Sequence, residues 1–260
     1  MTVRVDTGHR RGSLRLFHAC QVTMLRSLAA VAALLLLITP GLAQERTQYV
    51  LAISWQPAFC EGRPNRDECT SQTGERFDAT HFALHGLWPQ RVDYCDVARD
   101  QQYADQDGDW DTLPDPDLSA ATRLRLKEAM PGTQSGLDRH EWIKHGTCYG
   151  EPADAYFTDA LAMLQAVNAS PVRDLFAGNI GKQLTQQQVR DAFDTAFGKG
   201  AGLRVRLACD RDGDRRLITE LTIGLTGEIT GPDAYPRLTM AARPTDGGCD
   251  GGIVDAVGLQ

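Results

Sequence analysis

The sequence predicts an α+β domain, a central antiparallel sheet with several helices packed against it, and three observations predict it. Apolar runs of strand length come early, helically spaced apolar residues fill the middle, and strand-like alternation returns late. A chain ordered in this way can gather its strands into one sheet and lay its helices on it. Residues 49–55 are a short apolar run of strand length and form a central strand. Residues 60–69 bracket a polar loop between two cysteines. Residues 81–88 begin as a strand and end in a loop, because Pro89 disfavours helix at the residue before it. Residues 93–117 carry nine Asp, one Arg and two Pro, the composition of a long solvated loop with at most a turn of helix. Residues 119–130 read as a helix stopped by Pro131-Gly132. Phe157, Leu161 and Leu164 place a helix over 154–167. Residues 171–176 and 185–197 are further helices, the second opened by a Thr185/Gln188 capping box. Residues 203–207 alternate as a strand does, and Asp212-Gly213 turns the chain into a partner strand over 216–223.

The first 43 residues are read as a prepiece. Met24 and Arg26 precede an apolar stretch over 27–38, and Gly41-Leu42-Ala43 supplies the small residues of a signal-peptidase site. The stretch is too short to span a membrane. The signal proper covers about residues 24–43, cleavage follows Ala43, and 44–260 is one exported domain, periplasmic or extracellular. After cleavage no membrane contact is expected, and the chain is expected to act as a monomer. The whole chain holds 27 Lys and Arg against 34 Asp and Glu. The prepiece takes five Arg and one Asp with it, leaving 22 basic against 33 acidic residues and a net charge of −11. So acidic a protein is poorly suited to tight nonspecific binding of nucleic acid, which needs clustered Lys and Arg. A small cationic cleft remains compatible with it.

Of seven cysteines, Cys20 lies in the prepiece and Cys60, Cys69, Cys95, Cys148, Cys209 and Cys249 remain. An even count in an exported chain reads as three disulfides, with fifteen possible pairings. No CxxC pair supports a thiolate metal site.

The chemistry concentrates in His140-Glu-Trp-Ile-Lys-His145. At about 100° per residue, positions 140, 144, 141 and 145 of a helix fall near 0°, 40°, 100° and 140°. His140, Glu141, Lys144 and His145 then share one face, and Trp142 and Ile143 turn to the core. Beyond residue 43 the only other histidines are His81 and His85; His81 is read as a packed neighbour on the strand of His85. His140-Glu141 begins like the HExxH zinc-protease motif, but position 144 is Lys, which would repel a metal, and His145 lies too far round the helix to serve. Two imidazoles that titrate near neutrality can act as base and acid in one turnover, and an ammonium stabilises charge on a phosphoryl oxygen. RNA brings its own nucleophile, the 2′-OH, and asks only for these groups. DNA lacks that nucleophile and should not be cut. A secreted binding protein on a dead enzyme scaffold should have lost part of the set, which here is whole.

His85-Gly-Leu-Trp88-Pro89 and His140-Glu-Trp-Ile-Lys-His145-Gly-Thr-Cys148 resemble the two active-site signatures of the T2 ribonuclease family. Residues 49–60 are similar to its first core strand and following loop, in the bacterial form. The resemblance implies a T2-ribonuclease-like, disulfide-stabilised fold and an endoribonuclease acting on single-stranded RNA without metal or cofactor. It implies that His145 is the general base for the 2′-OH, that His85 is the general acid for the leaving 5′-oxygen, and that His140 binds phosphate. Glu141 and Lys144 then support the phosphorane-like state, water opens a 2′,3′-cyclic phosphate to a 3′-phosphate, and Trp88 stacks on a base. Gln90 stands where many members have an Asp that helps choose the base. Gln both donates and accepts, where ionised Asp only accepts, so broad base preference is expected. The resemblance also orders the cysteines as Cys60–Cys69, Cys95–Cys148 and Cys209–Cys249. Asp105 to Asp111, and Asp210 to Asp214, resemble parts of calcium loops but lack the Gly after the third Asp and the closing Glu, so an acidic loop and a hairpin turn account for them.

Overall fold

The computed structural model describes residues 1–4 and 46–260, so the signal-peptide reading lies outside the described residues. The sheet is built outward from one long strand. β1 (Tyr49–Ser54) and β2 (Ala83–Pro89) pair antiparallel, and β1 also pairs antiparallel with β5 (Arg215–Leu225). β5 forms the expected hairpin with β4 (Val205–Asp212), turned at Gly213 with φ 55°. Two three-residue strands complete the sheet: β3 (Gln183–Thr185) pairs antiparallel with β6 (Gly251–Ile253), and β6 joins β5 through one parallel pair, Leu217 with Ile253. The sheet is therefore mixed at one seam and antiparallel elsewhere. β1 sits between β2 and β5, as a run buried from Leu51 to Ser54 requires.

The helices are α1 (Gln56–Glu61), α2 (Asp67–Thr70), α3 (Arg99–Asp107), α4 (Ala120–Ala129), α5 (Leu137–Lys144), α6 (Ala153–Asn168), α7 (Pro171–Ala177), α8 (Gln186–Phe197) and α9 (Tyr235–Ala241). Ser119 caps α4 by accepting from Thr122 N–H, and Thr185 and Gln188 form the expected capping box of α8. Each cap satisfies amides that a helix start leaves without intrahelical partners. α6 buries Tyr156, Phe157, Leu161, Leu164 and Val167 in the core, and nearby Phe82 meets Trp55 and Phe176 edge-on.

Three expectations are corrected. The segment 93–117 is largely solvated, as expected, but it is not a loop: α3 occupies its middle, a 3-10 turn follows at Trp110–Thr112, and Asp105 is buried. The cause is a polar tether, since the Asp105 carboxylate accepts from Tyr94 Oη at 2.7 Å. Pro89 ends a strand rather than lying beyond one, so His85 and Trp88 are both strand residues. The Cys60–Cys69 segment is partly helical, through the end of α1 and α2.

The three disulfides join Cys60 to Cys69, Cys95 to Cys148 and Cys209 to Cys249. The second ties the segment after β2 to the turn after α5. Beside it Tyr94 N–H donates to the Lys144 carbonyl at 2.9 Å.

Candidate active site

His85 owes its position to a break in strand pairing. Across β1 the partners run Ala52 with Gly86 and then Ile53 with Leu84, so His85 is the extra residue of a β-bulge. A bulge re-aims a side chain and shifts the alternation by one. Leu84 and Leu87, three apart, consequently both reach the core, while Gly86 and Trp88 turn to α5. A second irregularity lies between Ala208 and Cys209, where β4 skips Thr219 of β5. Glu220, the next residue, opposes Ser54 on β1 and reaches over that strand to His85, Oε2 to Nδ1 2.5 Å.

Glu141 of α5 is fully buried and lies against Gly86. A Cβ on Gly86 would stand 1.9 Å from Glu141 Oε2 and 2.6 Å from Trp88 Nε1. Only glycine lets the helix carboxylate approach the strand this closely. Trp88 Nε1–H donates to Oε2 at 2.9 Å. The other oxygen, Oε1, has no hydrogen bond and lies 3.6 Å from His85 Nε2 and 3.9 Å from His140 Nε2. Gly86→Ala is expected to keep the circular-dichroism spectrum and lower kcat/KM on RNA by about 100-fold, the effect of displacing a catalytic group by about 1 Å; unchanged turnover would show that Glu141 needs no such placement.

His140 is fixed from behind. Its Nδ1 lies 2.7 Å from Asp105 Oδ1, and its ring stacks on Trp110 at 4.5 Å and 24°. The carboxylate sets the Nδ1–H tautomer and leaves Nε2 facing Glu141. Lys144 ends α5 and makes no ion pair among the described residues, yet its charge acts on His85, His140, Glu141 and His145. His145 is the C-cap rather than a helical residue, and its ring centroid lies 5.5 Å from that of Trp88 and 6.3 Å from that of His140.

These surroundings drive the two outer imidazoles in opposite directions. Burial opposes a proton on His85, but the Glu220 hydrogen bond and the fields of Glu141 and Glu220 outweigh it and raise its pKa. Burial, with Lys144, His140 and His85 nearby, pushes His145 down to about 3. Burial also lowers His140, against the pull of Asp105, and pushes Glu141 up to about 7. Over the acid-to-neutral range His85 therefore holds a proton while His145 has a free lone pair. Groups whose environments push their pKa values apart mark an acid and a base. Glu220→Gln removes the charge that holds the His85 proton. The alkaline limb of the kcat/KM profile should move to lower pH, while the acidic limb, set by His145, stays in place. An unmoved alkaline limb would mean that another group sets it.

Five of the sequence-predicted residues, His85, His140, Glu141, Lys144 and His145, thus meet in one cluster, with Trp88 among them. Gln90 does not join them: its side chain donates to the Trp88 carbonyl at 3.0 Å and lines a separate cavity with Thr47 and Arg243. His81 precedes β2, stacks on Phe77 at 4.4 Å and contacts the Phe77 carbonyl, outside the site. One atom each of His140, Glu141 and His145 lie within 4.8 Å of one another, a set that could hold a cation. Lys144 places its positive field on all three. Asp105, read in the sequence as part of an acidic loop, is committed to His140 and Tyr94 instead. Glu220, Asp105, Trp110 and Gly86 were not singled out as site residues. Gly86 sits inside a signature, Asp105 and Trp110 lie in the Asp-rich stretch, and nothing local marks Glu220.

Comparison with known proteins agrees with this geometry. Residues 46–232 match the pattern of the Ribonuclease T2 family. The chain is 31% identical over 226 residues to Ribonuclease I of Escherichia coli, covering 78% of this chain and 83% of that one. It is 38% identical over 117 residues to a ribonuclease of Aeromonas hydrophila, covering 42% and 41%. In fold it is similar to the Nicotiana alata self-incompatibility associated SF11-RNase, with TM-score 0.52 at 19% identity over 80% of this chain and 99% of that one. With both signatures folded into one cluster, and a match that takes in β1 to β5 and the site together, the chain belongs to the ribonuclease T2 family and is an RNA-cleaving enzyme.

Proposed function

We propose that the chain is an exported endoribonuclease that cuts single-stranded RNA through its own 2′-OH, without metal or cofactor and with broad base preference. The observation that carries this is the meeting of His85, bonded to Glu220, and His145, whose Nδ1 has no partner, around Lys144, which makes no ion pair among the described residues. Neutral His145 takes the 2′-OH proton, and the 2′-oxygen attacks phosphorus. Lys144 and the protonated form of His140, whose Nε2–H then points away from Asp105, receive the non-bridging oxygens; below about pH 7 Glu141 also carries a proton and can donate from its unpartnered Oε1. His85 gives its proton to the departing 5′-oxygen, leaving a 2′,3′-cyclic phosphate. The roles then reverse: His85, now neutral, activates water, the 2′-oxygen leaves with a proton from His145, and a 3′-phosphate remains. Trp88 offers a partly exposed indole for a base to stack on, and such stacking tolerates any base.

A small cavity of about 150 Å³ lined by His85, Leu84, Gln56, Phe59 and Leu137 lies on the leaving-group side and suits the base 3′ to the cut. Three disulfides support export to an oxidising compartment. Nothing in the cleavage steps calls for a second copy, and the enzyme acts as a monomer. The test is purified 44–260 on yeast RNA with and without EDTA, with the new termini analysed. Equal rates and early 2′,3′-cyclic ends are expected. Loss of activity in chelator would favour a cation held by His140, Glu141 and His145.

A further inference from the structure

We infer that the enzyme has a further binding site for RNA, one nucleotide beyond the leaving group on the 3′ side. This rests on the cleavage reading above. A groove of about 620 Å³ lies beside the catalytic cluster. It shares two walls, Arg66 and Trp110, with the small cavity that His85 lines. A strand whose 5′-oxygen is protonated by His85 sends its leaving nucleotide into the small cavity. Its next phosphate and sugar then pass Arg66 and Trp110 into the large one, and the volume suffices for a nucleotide.

The lining supplies what a phosphate needs. Arg66, Arg123 and Lys127 have no carboxylate partner among the described residues, whereas Arg139 is held by Asp115 at 2.7 Å. Gln134 Oε1 already accepts from Ser71, so its amide N–H groups are left to donate. Asp67, Asp111 and the buried Asp138 also line the groove, so charge alone does not choose the ligand. Continuity with the His85 cavity does. Trp110 forms a set wall between them: its Nε1–H donates to the Asp105 carbonyl at 3.1 Å, and its ring stacks on His140. The ligand class is a single-stranded polynucleotide running 5′ to 3′ from the scissile bond.

The test uses three substrates with a single ribose, so that only one bond can be cut: rA-dA, rA-dA-dA and dA-rA-dA. The 3′-extended substrate should have a kcat/KM about tenfold above that of the dinucleotide, the scale of a charge-assisted hydrogen bond, and the gain should shrink with added salt. The 5′-extended substrate should show no such gain. In the exposed-site variant Lys127→Ala, and in Arg123→Gln, the 3′ gain should fall while rA-dA is cut at the wild-type rate. An equal gain for both extensions, no 3′ gain, or a gain untouched in both variants overturns the inference while leaving the cleavage mechanism standing. If rA-dA is not cut at all, the mechanism fails and the inference fails with it.

Discussion

His145→Ala is expected to lower kcat/KM on single-stranded RNA by about 10²–10⁴-fold, the span that a positioned general base supplies. The reason is that no other imidazole in the cluster is both free and close. His85 is raised and bonded to Glu220, and His140 is bonded through Nδ1 to Asp105. His145 alone has a buried Nδ1 without a partner and a pKa pushed down to about 3. Its neutral form therefore persists well into acid, and the wild-type kcat/KM profile should hold its acidic limb near that value. The variant should fold as before, since the ring is a half-buried C-cap side chain. A melting curve checks this, and a variant that is stable and still active would move the base to His140.

Lys144→Met is the second large effect. It should cost about 10²–10³ in kcat and leave KM nearly unchanged, because the ammonium acts where charge develops in the transition state. Methionine keeps most of the stem, so the loss reads the charge. A second readout follows from the same field. Lys144 pushes the His145 pKa down, so removing it should carry the acidic limb upward from about 3. A fall in activity with the limb fixed would mean that Lys144 packs the site rather than charging it.

Much of the site was legible because its chemistry is crowded. His140 to His145 spelled out four of the functional groups, and helical spacing put them on one face. What was illegible had long-range causes. Glu220 is one acidic residue on a strand, and only pairing through β1 brings it to His85, 135 positions away. The bulge at His85 depends on how β1 and β2 register, which alternation alone could not reveal. The Asp-rich stretch read as a loop because counting charges ignores partners; Tyr94 and His140 draw Asp105 inward and α3 with it. The cysteine pairing came through family resemblance, since spacing left fifteen pairings open. Gln90, picked for its place after Pro89, turns away to a backbone carbonyl, which its sequence position could not show.

The position of β5 also bears on how the enzyme comes into being. A chain made N-terminus first completes both signatures and both cysteines of the Cys95–Cys148 pair while β1 and β2 still lack the strand that pairs with the other edge of β1. The strand that completes this part of the sheet and carries Glu220 is synthesised only after α8 and β4. A ribosome making this protein is itself built of RNA. Because the acid's proton is secured by a residue near the end of the message, the growing polypeptide exposes the motif residues without their working arrangement.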